Sequence, residues 1–472
     1  MSLTKASFSM ITGAPINVLD YGAVGDGNTD NTTAFANAIS AIAALGGGAL
    51  YIPRGTYKYT NFLVNCSNVR VYGDGIGVTI LEPYGWVDGI RFANGYPSPS
   101  AQIVDVGVEY LTINCVNQTA GSPSSDTYGN GINFNACDRY YARFCEVIKH
   151  KQQGIVSTYY LVPSGQNAES SGYITDNIID STYSSNNASI GVEGSSTNVI
   201  VSRNTVSNSV NVGVYLGNLG DYGTAGECIV SDNILNNASG SIGIHVEDVY
   251  KNISMVNNKI NSFPIGIRCG TTSGAATDTF LISSNMISGF TTQGVLLSPL
   301  ASGDTNSAIV VGNSLITTTG ASTNSQAISS QSGTQIIGNY INSNTVSAIS
   351  ASGTGIVIQS NTCIASTSYS IDVSSTTSAI VIGNYISNDL NLGTTTQATA
   401  NLGYSTQRWT QNYIGTQQSI SNPSANSSPS TGTWAVGDKV WNTVPAASGY
   451  IGWVCVTAGT PGTWKQFGAI TA

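Results

Sequence analysis

A short apolar run ending in Asn returns along most of this 472-residue chain, and nothing else in the sequence limits its fold as strongly. The Asn falls at Asn177, Asn204, Asn233, Asn258, Asn285, Asn313, Asn339, Asn361 and Asn384, with successive spacings of 27, 29, 25, 27, 28, 26, 22 and 23. A second signal, Gly followed by an apolar residue, stands at Gly131, Gly154, Gly191, Gly213, Gly243, Gly266 and Gly294, and Ala327, Ala348 and Ser370 take that place in the last coils. A repeat this short cannot bury its own apolar face and has to stack on its neighbours. The Leu pattern of a leucine-rich repeat is absent. The period therefore predicts an all-β chain, a right-handed parallel β-helix with coils about 4.8 Å apart. The repeat Asn is expected to stack at the corners, bonding backbone groups in a purely structural role.

Composition agrees. Charged side chains make up 9% of the chain, against roughly 25% in ordinary globular proteins, while hydrophobic residues hold at 41%. Ser, Thr, Asn and 53 Gly fill the difference, which excludes long charged helices and coiled coils. The net charge of −9 offers no electrostatic footprint for nucleic acid or an anionic membrane. No apolar run reaches the roughly 18 residues of a spanning helix, and the first ten residues (MSLTKASFSM) lack the apolar segment of a signal peptide. The expectation is a soluble chain, made in the cytoplasm, with no membrane insertion. Eight Cys are scattered singly and only two His are present, so no zinc site, disulfide framework, metal or cofactor is expected. Cys228, Cys269 and Cys363 fall on inward positions of the repeat, where a free thiol acts as a small hydrophobe.

The chain divides into an N-terminal arm (1–15), an opening and capping module (16–98), the β-helix body (99–396), a connector and linker (397–430) and a small β domain (431–472) holding four of the six Trp. Within the capping module, Thr29 or Asp30 can cap a helix running to about Leu45, with Phe35, Ile39 and Ile42 at helical spacing and Gly46 to Gly48 as its stop. Such a helix would cover the open end of a solenoid. The Trp cluster near the C-terminus reads first as the core of a small β domain and second as a sugar-stacking surface.

Residues 17–35 (NVLDYGAVGDGNTDNTTAF) followed by 47–57 (GGALYIPRGTY) resemble the opening motif of the pectate-lyase-like β-helix superfamily. With the preceding FSMITGA (8–14), and with GYIGWVCVTAGTPGTW (449–464) near the other end, the chain is similar to the tailspike depolymerases of tailed bacteriophages. That resemblance implies a homotrimer in the virion tail, attached to a phage tail or baseplate protein, that binds and cuts bacterial capsular or O-antigen polysaccharide. It does not fix the chemistry, because the superfamily includes lyases, hydrolases, deacetylases and pure binders. Asp20, Asp26 and Asp30, although acidic and inside the motif, read as turn and cap residues.

The site is sought on the outward positions, since side chains alternate along a strand. Counting from each Gly-apolar pair, the outward column reads Asn133, Val156, Glu193, Tyr215, His245, Arg268, Leu296. Glu247 lies two residues beyond His245, and Asp248 begins the next turn. Asp221 and Tyr222 sit on an insertion beside Tyr215, and Tyr159 and Tyr160 on a lengthened loop before it. In so uncharged a chain this concentration marks the candidate site. Glu193, Glu247, Asp221, Asp248 and His245 are the candidate catalytic groups; Tyr215, Arg268, Tyr222, Tyr159 and Tyr160 are the candidate sugar contacts.

Glycoside hydrolysis by a carboxylate pair is the first reading. It needs the two carboxyls about 5–5.5 Å apart for retention or 6.5–9.5 Å for inversion. Glu193 and Glu247, two coils apart, are expected at roughly 10 Å plus a lateral offset of two residues, with Asp221 or Asp248 as a closer partner. The alternatives are β-elimination on a uronate, with Arg268 neutralising the carboxylate and His245 or Tyr215 as base, and a receptor-binding spike without catalysis. Two further outward columns, Tyr173, Ile200, Ile229, Ser254, Leu281 and Ile178, Thr205, Ile234, Lys259, Met286, are apolar enough to be buried between the solenoids of a trimer.

Overall fold

The computed structural model describes residues 13–95, 101–119, 129–158, 170–181, 188–194, 196–217, 225–237, 239–247, 250–270, 279–297, 307–317, 325–364, 367–392, 396–399, 401–403 and 424–471. The chain is a right-handed parallel β-helix. Each coil has three strands, as in Ile229–Ser231, Ile234–Asn237 and Ile242–Glu247, which pair in parallel with Ile253–Val256, Lys259–Asn261 and Ile265–Gly270 of the next coil. Among the described residues, the third strands of successive coils build one face, a 13-stranded parallel sheet.

The corner between the first two strands is built from two residue types. One residue adopts the left-handed conformation in coil after coil, as at Asp176, Arg203, Asp232, Asn257 and Ser284, with φ between 54° and 59°. The repeat Asn follows it. Asn233 donates from its backbone N–H and its Nδ2 to the Asn258 Oδ1, at 3.1 and 2.9 Å, and from Nδ2 to the Val201 carbonyl at 2.9 Å. The same set of bonds repeats from Asn177 up to Asn401, one rung beyond those legible as repeats. A buried Asn is tolerable only when its polar atoms are all paired, and here each side chain pairs with its neighbour's.

Inside the prism the apolar residues stack in register. Ile190, Val214, Ile244, Ile267, Val295, Ile328, Ile349 and Ile371 form one inward column, each fully buried. Burying each such side chain contributes roughly 1.5–3 kcal/mol. Cys228, Cys269 and Cys363 lie in the same core. The Gly before each inward residue has a steric cause: a Cβ on Gly243 would lie 2.5 Å from the Gly266 carbonyl oxygen and 2.4 Å from an Ile260 methyl.

The helix Thr32–Ala44 closes the N-terminal end, burying Ala34, Phe35, Ala38, Ile39 and Ile42, with Phe35 stacked on Phe62 at 4.5 Å. Its N-cap position is Asn31, not Thr29 or Asp30, and Asn31 makes no side-chain cap bond. The Asn31 amide is instead spent on Val24, Thr29 and Lys58, and Asp30 Oδ1 accepts the Thr32 N–H at 2.9 Å in its place. Asp26 likewise holds a turn, accepting from the Asn28 and Thr29 backbone N–H groups at 2.8 Å. Near the C-terminus a separate four-stranded sheet begins at Ser424–Ala425 and ends at Thr463–Ala469, with Trp434 packed edge-on against Trp464 at 5.0 Å.

Candidate functional site

Strand register sets the outward face of the 13-stranded sheet without ambiguity. One column runs Leu63, Arg91, Asn133, Val156, Gly191, Tyr215, His245, Arg268, Leu296, Ser329, Ser350. Two residues further along the strands a second column runs Glu193, Gly217, Glu247, Gly270. Glu193 therefore belongs with Glu247 and not with Tyr215, His245 and Arg268, which corrects the column expected from the sequence. Ile190, not Val192, is the partner of Val214, so Ser189 rather than Gly191 occupies the small-residue position of that coil. The lateral offset between the two glutamates vanishes; they are two strand spacings apart, roughly 10 Å at the backbone.

Large and absent side chains alternate across these two columns. Gly191 leaves the space where the Gln153 amide reaches Glu193, for a Cβ there would lie 2.6 Å from Gln153 Nε2. Gly217 leaves the space that Tyr215 fills, since a Cβ there would meet the Tyr215 ring at 2.2 Å. The Tyr215 hydroxyl thereby crosses Gly217 and donates to Glu247 Oε2 at 2.8 Å. The Tyr215 and His245 rings lie 5.6 Å apart, tilted by 57°.

The electrostatics follow from burial. Glu193 is 8% exposed and its carboxyl is pushed up to about 7, because burial disfavours the carboxylate more than the 2.6 Å bond from Gln153 Nε2 favours it. His245 is brought down to about 4, chiefly by burial, with Arg268 adding to the shift and Glu247 opposing it. At neutral pH it is an uncharged imidazole. Arg268 Nε is buried with no hydrogen-bond partner among the described residues, so the guanidinium can still bind an acceptor. The other His, His150, is fully buried with its Nε2 3.0 Å from Ser181 Oγ and belongs to the core.

Glu193, Tyr215, His245, Glu247 and Arg268 are thus brought together on three consecutive coils and the one before them. Asp221, Asp248, Tyr159, Tyr160 and Tyr222 lie outside the described residues. Gln153, Gly191 and Gly217 join the site without a sequence signal of their own: Gln153 falls on no periodic position, and the two glycines matter through the room they leave. Among the described residues, no group of three or more His, Cys, Asp or Glu side chains is placed to hold a metal ion.

This chain matches an alginate lyase (alginate lyase 7) from Azotobacter vinelandii at 34% identity over 132 residues, a quarter of this chain and 15% of that relative's length. Its fold is similar to the N-terminal fragment of bacteriophage phi29 gene product 12, with a TM-score of 0.55, 15% identity and coverage of 81% of this chain and 72% of that one. It is similar, too, to the catalytic unit of an α-1,3-glucanase from Streptomyces thermodiastaticus, with a TM-score of 0.51, 16% identity and coverage of 83% and 69%. The profile of one family spans residues 15–268, from the capping module through Arg268, and by that match the chain belongs to the rhamnogalacturonase A/epimerase, pectate lyase-like family.

Proposed function

We propose that this protein is a phage tailspike that binds and depolymerises bacterial capsular or O-antigen polysaccharide by glycosidic hydrolysis. One observation carries the chemistry. Two glutamates share a column on one outward face, and burial keeps one of them, Glu193, protonated up to about pH 7. A carboxylic acid still holding its proton at neutral pH is what a general acid requires, and environments that separate two carboxyls assign their roles. Glu193 protonates the leaving oxygen. Glu247, half-buried and oriented by the Tyr215 hydroxyl, activates the attacking water. Their backbone separation, roughly 10 Å, lies nearer the range for inversion than that for retention. The virion assignment rests on the opening motif at residues 17–57 and is in keeping with the phage protein among the structural relatives.

A second reading draws on Arg268. Its guanidinium, whose Nε has no partner among the described residues, lies next to an uncharged His245 on the adjacent strand and suits a uronate carboxylate and abstraction of the neighbouring proton, the kind of reaction for which the alginate lyase relative is named. The two reactions leave different products. Digestion of capsule or O-antigen from a susceptible strain, followed by mass spectrometry, is expected to give fragments heavier by one water per cut. Unsaturated termini would replace hydrolysis with elimination, and an unchanged polymer would leave a binding spike.

We further propose a homotrimer. Tyr173, Ile229, Ile309 and Ile380 are exposed in one outward column and Ile178, Ile234, Met286, Tyr340 and Tyr385 in another. Thr205, Lys259, Ser314 and Thr362 alternate with the residues of the second column, yet exposed apolar side chains recurring this regularly are rarely left in water. Light scattering is expected to give three times 48.9 kDa, and a monodisperse monomer would refute the assembly.

A further inference from the structure

The outward face that carries Tyr215 and His245 starts, at its N-terminal end, with a cavity of about 250 Å³ whose walls include Thr60, Asn61, Leu63, Trp86, Asp88 and Arg91. We propose that this cavity is a second carbohydrate-binding site, separate from the candidate catalytic site, that holds one neutral pyranose unit of the polysaccharide. The sugar class rests on the polysaccharide reading above; the site itself does not.

Three features argue for a built site. Trp86 is 50% exposed at the cavity, offering a broad apolar face of the kind that stacks on the C–H face of a sugar ring. Asp88 and Arg91, 5% and 8% exposed, form a buried ion pair in its wall, with Arg91 Nε 2.7 Å from Asp88 Oδ2. Asp88 is held in place from several sides: Oδ1 accepts the Asn130 N–H and Nδ2 at 3.0 Å, and Oδ2 accepts Asn133 Nδ2 at 2.9 Å. The bonds from Asn130 and Asn133 offset the desolvation of this buried pair and hold this wall of the cavity rigid. The size also fits, since the volume falls just below the roughly 300–1,000 Å³ of pockets that engulf a drug-sized ligand, and suits a single ring.

Charge selects the ligand. Because Arg91 and Asp88 neutralise each other, an added carboxylate would meet Asp88 with the nearby guanidinium already committed, whereas a neutral ring resting on Trp86 adds no charge to the pair. The cavity therefore takes a neutral sugar, unlike the Arg268 region. It is separate from that region as well. Arg91 is four strand spacings from Tyr215, roughly 19 Å, and the column between them is closed, with Asn133 and Val156 only 4% and 1% exposed. Two sites on one polymer raise the local concentration of chain at the second once the first is engaged.

The full-length protein should be titrated with methyl α-glycosides of glucose, galactose and mannose, and with methyl galactopyranosiduronate, at millimolar concentration by saturation-transfer NMR and tryptophan fluorescence. At least one neutral glycoside is expected to bind, more tightly than the uronate. Trp86→Ala, and independently Asn61→Phe, which plugs the cavity from its exposed rim, should weaken it by about tenfold or more with unchanged melting temperature, and Glu193→Gln should bind as the wild type does. Absence of neutral-glycoside binding to the wild type, equal binding by Trp86→Ala and Asn61→Phe, or preference for the uronate overturns the proposal. The two readings fail separately. Glycoside binding lost in Trp86→Ala, with a polymer the wild type never cuts, would sink depolymerisation and keep this site; cleavage with glycoside binding indifferent to Trp86 and Asn61 would do the reverse.

Discussion

Two stacks of side chains run along this β-helix under opposite rules. In the corner stack, from Asn177 to Asn401, one residue type repeats and the donors and acceptors of each amide meet those of the next coil. In the two outward columns of the 13-stranded sheet the residue changes from coil to coil, as Gly191, Tyr215, His245, Arg268, Leu296 in one and Glu193, Gly217, Glu247, Gly270 in the other. There polar groups are buried without a partner among the described residues, as at Arg268 Nε, or carry a proton that water would remove, as at Glu193. The backbone ladder is the same in both. What differs is whether the side chains satisfy one another or wait for something else, and in a solenoid this contrast separates structure from function.

The contrast breaks most visibly in activity. Glu247→Gln is expected to lower turnover by about 10²–10⁴-fold, the usual worth of a positioned acid or base, with no loss of melting temperature. Tyr215→Phe, which removes only the bond that orients Glu247, should cost about tenfold by comparison. Reducing sugar released per folded molecule is the readout.

Asn258→Ala should do the opposite. It strands the Asn233 N–H and Nδ2 and the Val230 carbonyl, each formerly bonded within 3.1 Å. At about 1–3 kcal/mol per orphaned buried group, the loss is on the order of 3 kcal/mol or more, measured by denaturant unfolding, while turnover per folded molecule stays the same.

Acidity gives a subtler test. Burial raises Glu193 from its ordinary 4.5 to about 7, so between those values the folded state binds more protons than the unfolded state. Stability from this group is therefore lost as the pH rises through that window. Melting temperatures of Glu193→Gln and wild type should diverge from pH 4.5 to 7, the variant gaining, and run parallel above it. His245, lowered from 6.5 to about 4, acts in the other direction, and its contribution is lost as the pH falls through that range. The smallest effect belongs to the exposed Arg203–Asp176 pair, 2.7 Å apart on the solvent side of the corner. Asp176→Asn, which removes the charge and keeps a residue that tolerates the left-handed conformation, should change stability by no more than about 1 kcal/mol.

The same contrast explains which parts of the molecule are legible in the sequence. A ladder that bonds to itself must repeat its residue, so the Asn corner and the inward Val and Ile columns can be counted. Tyr215, His245 and Arg268 can be aligned because each follows a Gly-apolar pair. Glu193 reads two residues out of register because the crowded position before the inward residue requires only a small side chain, and Ser189 meets that need as well as Gly does. Gln153 is invisible, since its role arises from the missing Cβ of Gly191 on the neighbouring coil. The Trp86 cavity is equally hidden: it lies in the first coils, before the repeat becomes regular.

If the varied columns are the working surface, Glu193 donates the proton. The direct measurement is the cleavage rate of one bacterial surface polysaccharide by wild type and Glu193→Gln, followed by fragment mass, with thermal melts of both. Fragments one water heavier per cut are expected from the wild type, with a rate lower by at least about 10²-fold for the variant and an equal or higher melting temperature for the variant at pH 7. Cleavage by Glu193→Gln at the wild-type rate would contradict this assignment.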